Sequence, residues 1–495
     1  MGKKIFYWVF IIIVMIIMIG CSKDEKSGEK NLISFSIPNQ TCDVTIDGQA
    51  VSIKMYKHVD IGKLTPIVVV SDGATVNPSS GVMVDFTNPV FYVVTAQDGS
   101  VATYVVTVQK TLSRKNDIEN FQLVGTEQIF EREGDNLFVY VPYETDIASI
   151  VAEIVVSDKA TVTPASGVQI DFTNPQTYTV KSSDGTEKEF LVTVKKSPWR
   201  KITSDAPFSK RDGSGLVEFK GKMWLLGGWL SLGDISEVWN TSDGINWDFV
   251  GDAPWEGRHS TGFVVYKDFL WVISGDGHPD VWKTGDGENW ELVTANAPWG
   301  NRSGSYIGVF NDKLWLIGGV DWWNEAGEWV REFGTKGLND VWSSIDGKDW
   351  KRELEFAPFA QRGMIHGFTV LNNELYIYGG GTRAIFPPYS AFNDVWKTTN
   401  GVIWHNVTHH ANWSPRLHFS AIVYDNKLWV TDGTSYTENL MNDVWYSNDG
   451  KDWTQLKHSF FPARHASSLC VFQGKLWMVA GFILNDIWVL SNDYE

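Results

Sequence analysis

Short runs of alternating apolar and polar residues recur from residue 32 to the end of the chain, and turn pairs separate them. Residues 91–95 and 103–108 are rich in β-branched and aromatic side chains, with Asp98-Gly99 between them. Alternation of that kind around an Asp-Gly pair predicts a hairpin whose strands bury one face each. The stretch 71–108 returns at 157–194 with a constant offset of 86, so that Pro78 matches Pro164, Asp85-Phe86 matches Asp171-Phe172 and Asp98-Gly99 matches Asp184-Gly185. A repeat of this length predicts two copies of one small β-sandwich, at 31–110 and 116–196.

A second, longer pattern begins at Trp199. Its signature is Lys-Leu-Trp-Leu-Ile-Gly-Gly, a variable stretch, Asn-Asp-Val-Trp, an Asp-Gly turn and a further Trp, with the glycine pair replaced by Ser274-Gly275, Asp432-Gly433 and Ala480-Gly481 in the second, fifth and sixth units. The Val-Trp or Ile-Trp pairs end at Trp239, Trp282, Trp342, Trp396, Trp445 and Trp488, which gives six units. Four short strands per unit, none able to bury both faces alone, is the pattern of a propeller blade. The last unit stops at Glu495 without its outer Trp strand, and Pro198-Trp199-Arg200-Lys201-Ile202 matches the missing piece. The expectation for 197–495 is therefore a six-bladed β-propeller closed by its own N-terminal strand. The six units resemble the kelch family, and the turns, such as Thr241-Ser242-Asp243-Gly244-Ile245-Asn246-Trp247, also resemble the Asp-box turns of sialidase-type propellers. The two modules ahead of them resemble the immunoglobulin-like domains of secreted bacterial proteins. The fold class expected is all-β throughout.

The first residues carry an address. Lys3 and Lys4 precede an apolar run of fifteen residues, 5–19, too short for a comfortable membrane span but suited to a secretory signal. Gly20-Cys21 resembles the lipobox of bacterial lipoproteins. The resemblance implies a signal peptide at 1–20, a lipidated Cys21, and an acidic tether at 21–30 of the kind that carries Bacteroidetes lipoproteins to the cell surface. The implied location is the outer membrane, with the membrane touched only through the lipid anchor.

Composition narrows the chemistry. The chain has 42 Lys+Arg against 59 Asp+Glu, a formal charge of -17, which repels phosphate backbones and argues against nucleic acid as a partner. Cys21, Cys42 and Cys470 are too few and too scattered for a disulfide framework or a zinc knuckle. The ten histidines show no metal-site spacing, so no metal and no cofactor are expected. Most of the 25 tryptophans fall at repeat positions and are read as packing residues.

Candidate ligand contacts lie where the repeat is broken or where the units meet. The segments between units read APFSKR, APWEGR, APWGNR, APFAQR, ANWSPR and SFFPAR. They place Arg211, Arg258, Arg302, Arg362, Arg416 and Arg464 each three residues after an aromatic. Such a ring either forms a positive funnel for a carboxylate, sulfate or sialic-type ligand or ties loop carbonyls together. The variable loops add Trp229; Trp322, Trp323 and Trp329 in a long insertion at 320–333; Arg383 and Tyr389; and Tyr436 and Glu438. Aromatic platforms with acidic and basic partners suit sugar rings.

The leading expectation is therefore a surface protein that binds a glycan or glycoconjugate without transforming it. The alternative on the same face is a carbohydrate-active enzyme, a mutarotase-like isomerase, lyase or hydrolase, with Asp276, Asp321, Glu325, Glu328 and Glu438 as candidate carboxylates and no assigned catalytic set. A third reading is a protein-interaction module, with an outer-membrane protein as the partner.

Overall fold

A computed structural model describes residues 26–37, 44–56, 59–111, 115–183, 185–321, 336–382, 390–435, 437, 439–491 and 494. The signal segment and Cys21 lie outside them. All regular structure in the described residues is β-strand or turn.

The two N-terminal modules share one plan. In the first, strands Thr45–Asp47, Ala50–Tyr56, Val101–Thr111, Val90–Thr95 and Thr75–Asn77 form a five-stranded sheet in that order, and Leu32–Ser36 pairs with Ile67–Val70 in a second, smaller sheet. Strand Ala50–Tyr56 runs parallel to Val101–Thr111, whereas the hairpin across Asp98-Gly99 is antiparallel. The second module repeats this with Thr161–Thr163, Gln176–Lys181, Glu187–Lys196, Asn136–Val141 and Ile129–Glu133, backed by Gln169–Ile170, Ile150–Val156 and Ile118–Leu123. The offset of 86 extends into the cores. Phe35, Phe86 and Tyr92 are buried in one module, and Phe121, Phe172 and Tyr178 in the other. Phe35 meets Tyr92 edge-on at 5.2 Å, and Phe121 meets Phe172 edge-on at 6.2 Å.

From Trp199 the described residues form six small, mainly antiparallel sheets and a two-stranded ribbon of Gly381–Thr382 with Ser390–Ala391. The first contains Gly215–Phe219, Lys222–Leu230, Gly233–Thr241 and Asp248–Asp252; the second, Gly262–Tyr266, Phe269–Ile273, Val281–Thr284 and Trp290–Thr294. The third and fourth begin at Tyr306 and Thr369, and the fifth, led by Phe419–Tyr424, takes the short Ile365–His366 as an extra parallel strand. The sixth has Ser468–Phe472, Lys475–Gly481 and Leu484–Leu490, and Trp199–Thr203 adds to Leu484–Leu490 as its fourth strand.

Repeated side chains hold each sheet. The indole N–H groups of Trp224, Trp271, Trp315, Trp429 and Trp477 each donate to the carbonyl five residues earlier, at 2.8–3.2 Å. The turn glycines lie under these rings. A Cβ on Gly287 would sit 2.2 Å from Trp224, and one on Gly401 would sit 2.1 Å from Trp315, so both positions exclude any larger residue.

Strand ladders stay within each sheet and do not run on from one sheet to the next. Neighbouring sheets are joined instead by isolated backbone hydrogen bonds outside the ladders, such as Ser260 N–H to the Gly213 carbonyl and Gly213 N–H to the Ala466 carbonyl, both at 3.0 Å, and Gly228 N–H to the Arg258 carbonyl at 2.9 Å. The expectation of a closed six-bladed kelch-type propeller is corrected accordingly: the fold is all-β, built of separate sheets that remain open. The repeat pattern specified strands and hairpins, which are local. Closure is a long-range property that hairpin signals do not contain.

Candidate functional site

The first strands of the six sheets line a cavity of about 450 Å³, with Gly215, Gly262, Ser305, Gly367, Ala421 and Ser468 among its walls. Immediately before these strands stand the six arginines and the residues that follow them.

The arginines are enclosed. Arg211, Arg258, Arg362, Arg416 and Arg464 are fully buried and Arg302 nearly so. Each is paired with a carboxylate from the Asn-Asp-Val-Trp segment or its counterpart. Arg302 reaches Asp340 at 2.7 and 3.1 Å, Arg362 reaches Asp394 at 2.6 and 2.9 Å, Arg416 reaches Asp443 at 2.9 and 2.7 Å, and Arg464 reaches Asp486 at 2.6 Å twice. Arg258 binds Asp280, and Arg211 binds Glu237. The same carboxylates accept the indole N–H two residues on, from Trp239, Trp282, Trp342, Trp396, Trp445 and Trp488. A guanidinium with a bidentate carboxylate and a loop carbonyl, as in Arg464 with Ala480 at 2.8 Å, has its donors committed within the protein. Burial alone would raise Asp394 and Asp443, but hydrogen bonds from Arg362 and Arg416 hold both below the usual carboxylate value.

What the arginines position is the residue after them. In the first, second and sixth sheets these are Asp212, His259 and His465, two residues ahead of the cavity-lining Ser214, Thr261 and Ser467. The hairpin of Lys222–Leu230 and Gly233–Thr241 places Trp229 directly opposite Asp234. Trp229 and Asp212 exchange backbone hydrogen bonds at 2.9 and 3.2 Å. His259 Nδ1 lies 2.7 Å from Asp234 Oδ1 and 2.7 Å from Asp276 Oδ2, and its own backbone N–H donates to Asp276. The Trp229 and His259 rings are 6.5 Å apart.

Asp276 belongs to a stretch, residues 274–277, in which all four residues have positive φ, including Ser274 at 62° and Asp276 at 44°. Strain of that kind is held in place by surrounding bonds, here the His259 N–H and the Ser274 hydroxyl donating to the Arg302 carbonyl at 3.1 Å. On the other flank, His465 Nε2 lies 3.2 Å from Asp212 Oδ2, and the His465 ring meets Phe482 edge-on at 5.2 Å. Phe482 is 45% exposed and also has a positive φ, 47°.

Burial alone would lower His259. The charge of Asp276 and the hydrogen bonds of Asp234 and Asp276 outweigh it and hold the imidazole well above its ordinary value, favouring the cationic form. Burial, with Asp276 and Asp212 nearby, pushes Asp234 up against the lowering effect of His259.

Of the residues expected at a binding face, Trp229 stands in this cluster, and the six arginines, one to each sheet, are buried in ion pairs. Trp322, Trp323, Trp329, Arg383, Tyr389, Tyr436 and Glu438 lie outside the described residues. Asp212, Asp234 and Phe482 were not singled out by the sequence. Asp212 could have been found from its place after Arg211, the offset shared by His259 and His465.

The SGBP, N-terminal family matches residues 32–108 and 118–194. The matches fall on the two repeated modules, one on each, and the family is one of surface glycan-binding proteins. Recognition as a kelch-repeat lipoprotein is thereby corrected: the family matched is SGBP, and it is matched through the N-terminal modules. No curated protein matches the chain. The SGBP match supports a role in carbohydrate binding at the cell surface, with a glycan as partner, and it is consistent with binding without catalysis.

Proposed function

We propose that this chain is a lipid-anchored glycan-binding protein of the cell surface that holds its ligand at the cluster of Trp229, Asp212, Asp234, His259 and Asp276. The modules at 31–110 and 116–196 serve as the stalk between Cys21 and the region 197–495. The observation that carries the reading is the half-buried Trp229 ring 6.5 Å from the His259 ring, which Asp234 and Asp276 flank, in a chain whose N-terminal modules match glycan-binding proteins. A sugar packs its C–H face on such a ring and gives its hydroxyls to carboxylates and imidazoles.

The same geometry speaks against glycosidic cleavage by Asp234 and Asp276. His259 Nδ1 sits at 2.7 Å from both, so the space where a glycosidic oxygen would have to lie between them is already filled. The test is glycan-array binding by the full chain and by Trp229→Ala. Trp229→Ala is expected to lose binding by tenfold or more while melting close to the parent. Undiminished binding by the variant would remove the site from this cluster, and release of shortened glycan by the parent would overturn the non-catalytic reading.

A further inference from the structure

We infer that the site selects by charge: it takes uncharged or amine-bearing glycans and rejects those carrying carboxylate or sulfate. The inference rests on the proposed binding site and names the class of ligand that site accepts. Six arginines at the mouth of a cavity suggest a receptor for anions, but the guanidinium groups are enclosed and each is neutralised by its own carboxylate. Their donors go to these carboxylates and to loop carbonyls, and the guanidinium nitrogen without a partner, Arg302 Nε, is itself buried.

The groups that do stand beside Trp229 have the opposite sign. Asp212, Asp234 and Asp276 bring three carboxyl groups, and among the described residues none of the three is paired with a lysine or arginine. His259 supplies one positive charge, and that charge is already shared between Asp234 and Asp276 at 2.7 Å each. An anionic substituent entering here would meet two or three carboxylates and, among the described residues, no lysine or arginine paired with them. Partial enclosure strengthens that repulsion relative to water. Hydroxyl and ammonium groups, in contrast, donate to carboxylates, and Asp212 and Asp234 retain acceptor capacity for them.

The experiment prints neutral glycans beside their C6-carboxylated, 6-O-sulfated and 6-amino counterparts, and probes them with the full chain, Trp229→Ala and Asp234→Asn at two ionic strengths. The carboxylated and sulfated forms are expected to bind at least tenfold more weakly than their neutral parents. Raising the salt should narrow that gap by screening the repulsion, and Asp234→Asn should narrow it at low salt. The amino forms should bind as well as the neutral parents or better. Trp229-dependent binding that favours carboxylated or sulfated glycans would overturn the charge inference while leaving the site in place. Absence of any Trp229-dependent binding would overturn the site and the inference together.

Discussion

His259 is the residue on which the site's electrostatics turn. Its pKa is raised in the folded state by two carboxylates, so its ion pairs stabilise fully below the ordinary imidazole value of about 6.5 and fade as pH rises toward the higher folded value. His259→Gln should therefore lower Tm most near pH 6, and the deficit should shrink as pH increases. A deficit that grows with pH would show that the imidazole is neutral in the fold. Asp432 behaves with the same sign for another reason. It occupies a position held by glycine in three of the other sheets, and burial pushes its carboxyl up to about 6 against hydrogen bonds from Ser467 and Ser420. Relative to Asp432→Ser, the parent should lose stability as pH rises from about 4 to about 6, which thermal melts across that range would read directly. The sequence marked Trp229 as an aromatic of a variable loop, and His259 and His465 each directly follow an arginine of the repeated segments. It left Asp212 and Asp234 unremarked, because an isolated aspartate next to a turn looks like a solvated one until a neighbouring sheet brings an imidazole to it.

At the scale of elements, the turn between Lys475–Gly481 and Leu484–Leu490 is unusual. Phe482 and Ile483 both have positive φ, 47° and 56°, where Asn-Gly would be at ease. Replacing the pair by Asn-Gly should stabilise the chain by about 1 kcal/mol by relieving that strain. It should also weaken glycan binding, because Phe482 is exposed beside His465. A rise in Tm with unchanged affinity would assign the phenylalanine no part in the site. The four-strand units, the Asp-Gly turns and the packing tryptophans were legible because they are hairpin properties set by residues close in sequence. The partnership of each arginine with a carboxylate 22 to 38 residues onward was not, although both ends recur in every unit. A repeated arginine reads equally as ligand contact or support until its partner is seen.

For the whole molecule, six buried clamps of one design make residues 197–495 costly to disturb at any of them. Asp394→Asn should destabilise by about 3–5 kcal/mol, since it leaves the Arg362 guanidinium buried without its counter-charge. Arg362→Met combined with Asp394→Leu should recover much of that loss. Glycan affinity measured below the melting transition should change little in either variant, because the guanidinium is enclosed; a large loss of affinity would return the arginines to the ligand surface. The sequence by itself determined the all-β class, the duplicated N-terminal modules with their shared cores, and the sixfold recurrence of strand and turn. These follow from short-range alternation and from self-similarity, which one chain displays without reference to its folded form. Only the tertiary structure decided that the sheets stay separate, that the arginines are consumed internally, and that Trp229, three aspartates and a histidine meet at one place. Those outcomes depend on which residues distant in sequence come within 3 Å of each other, and on the loss of solvent around them, and neither is written in any local stretch of the chain.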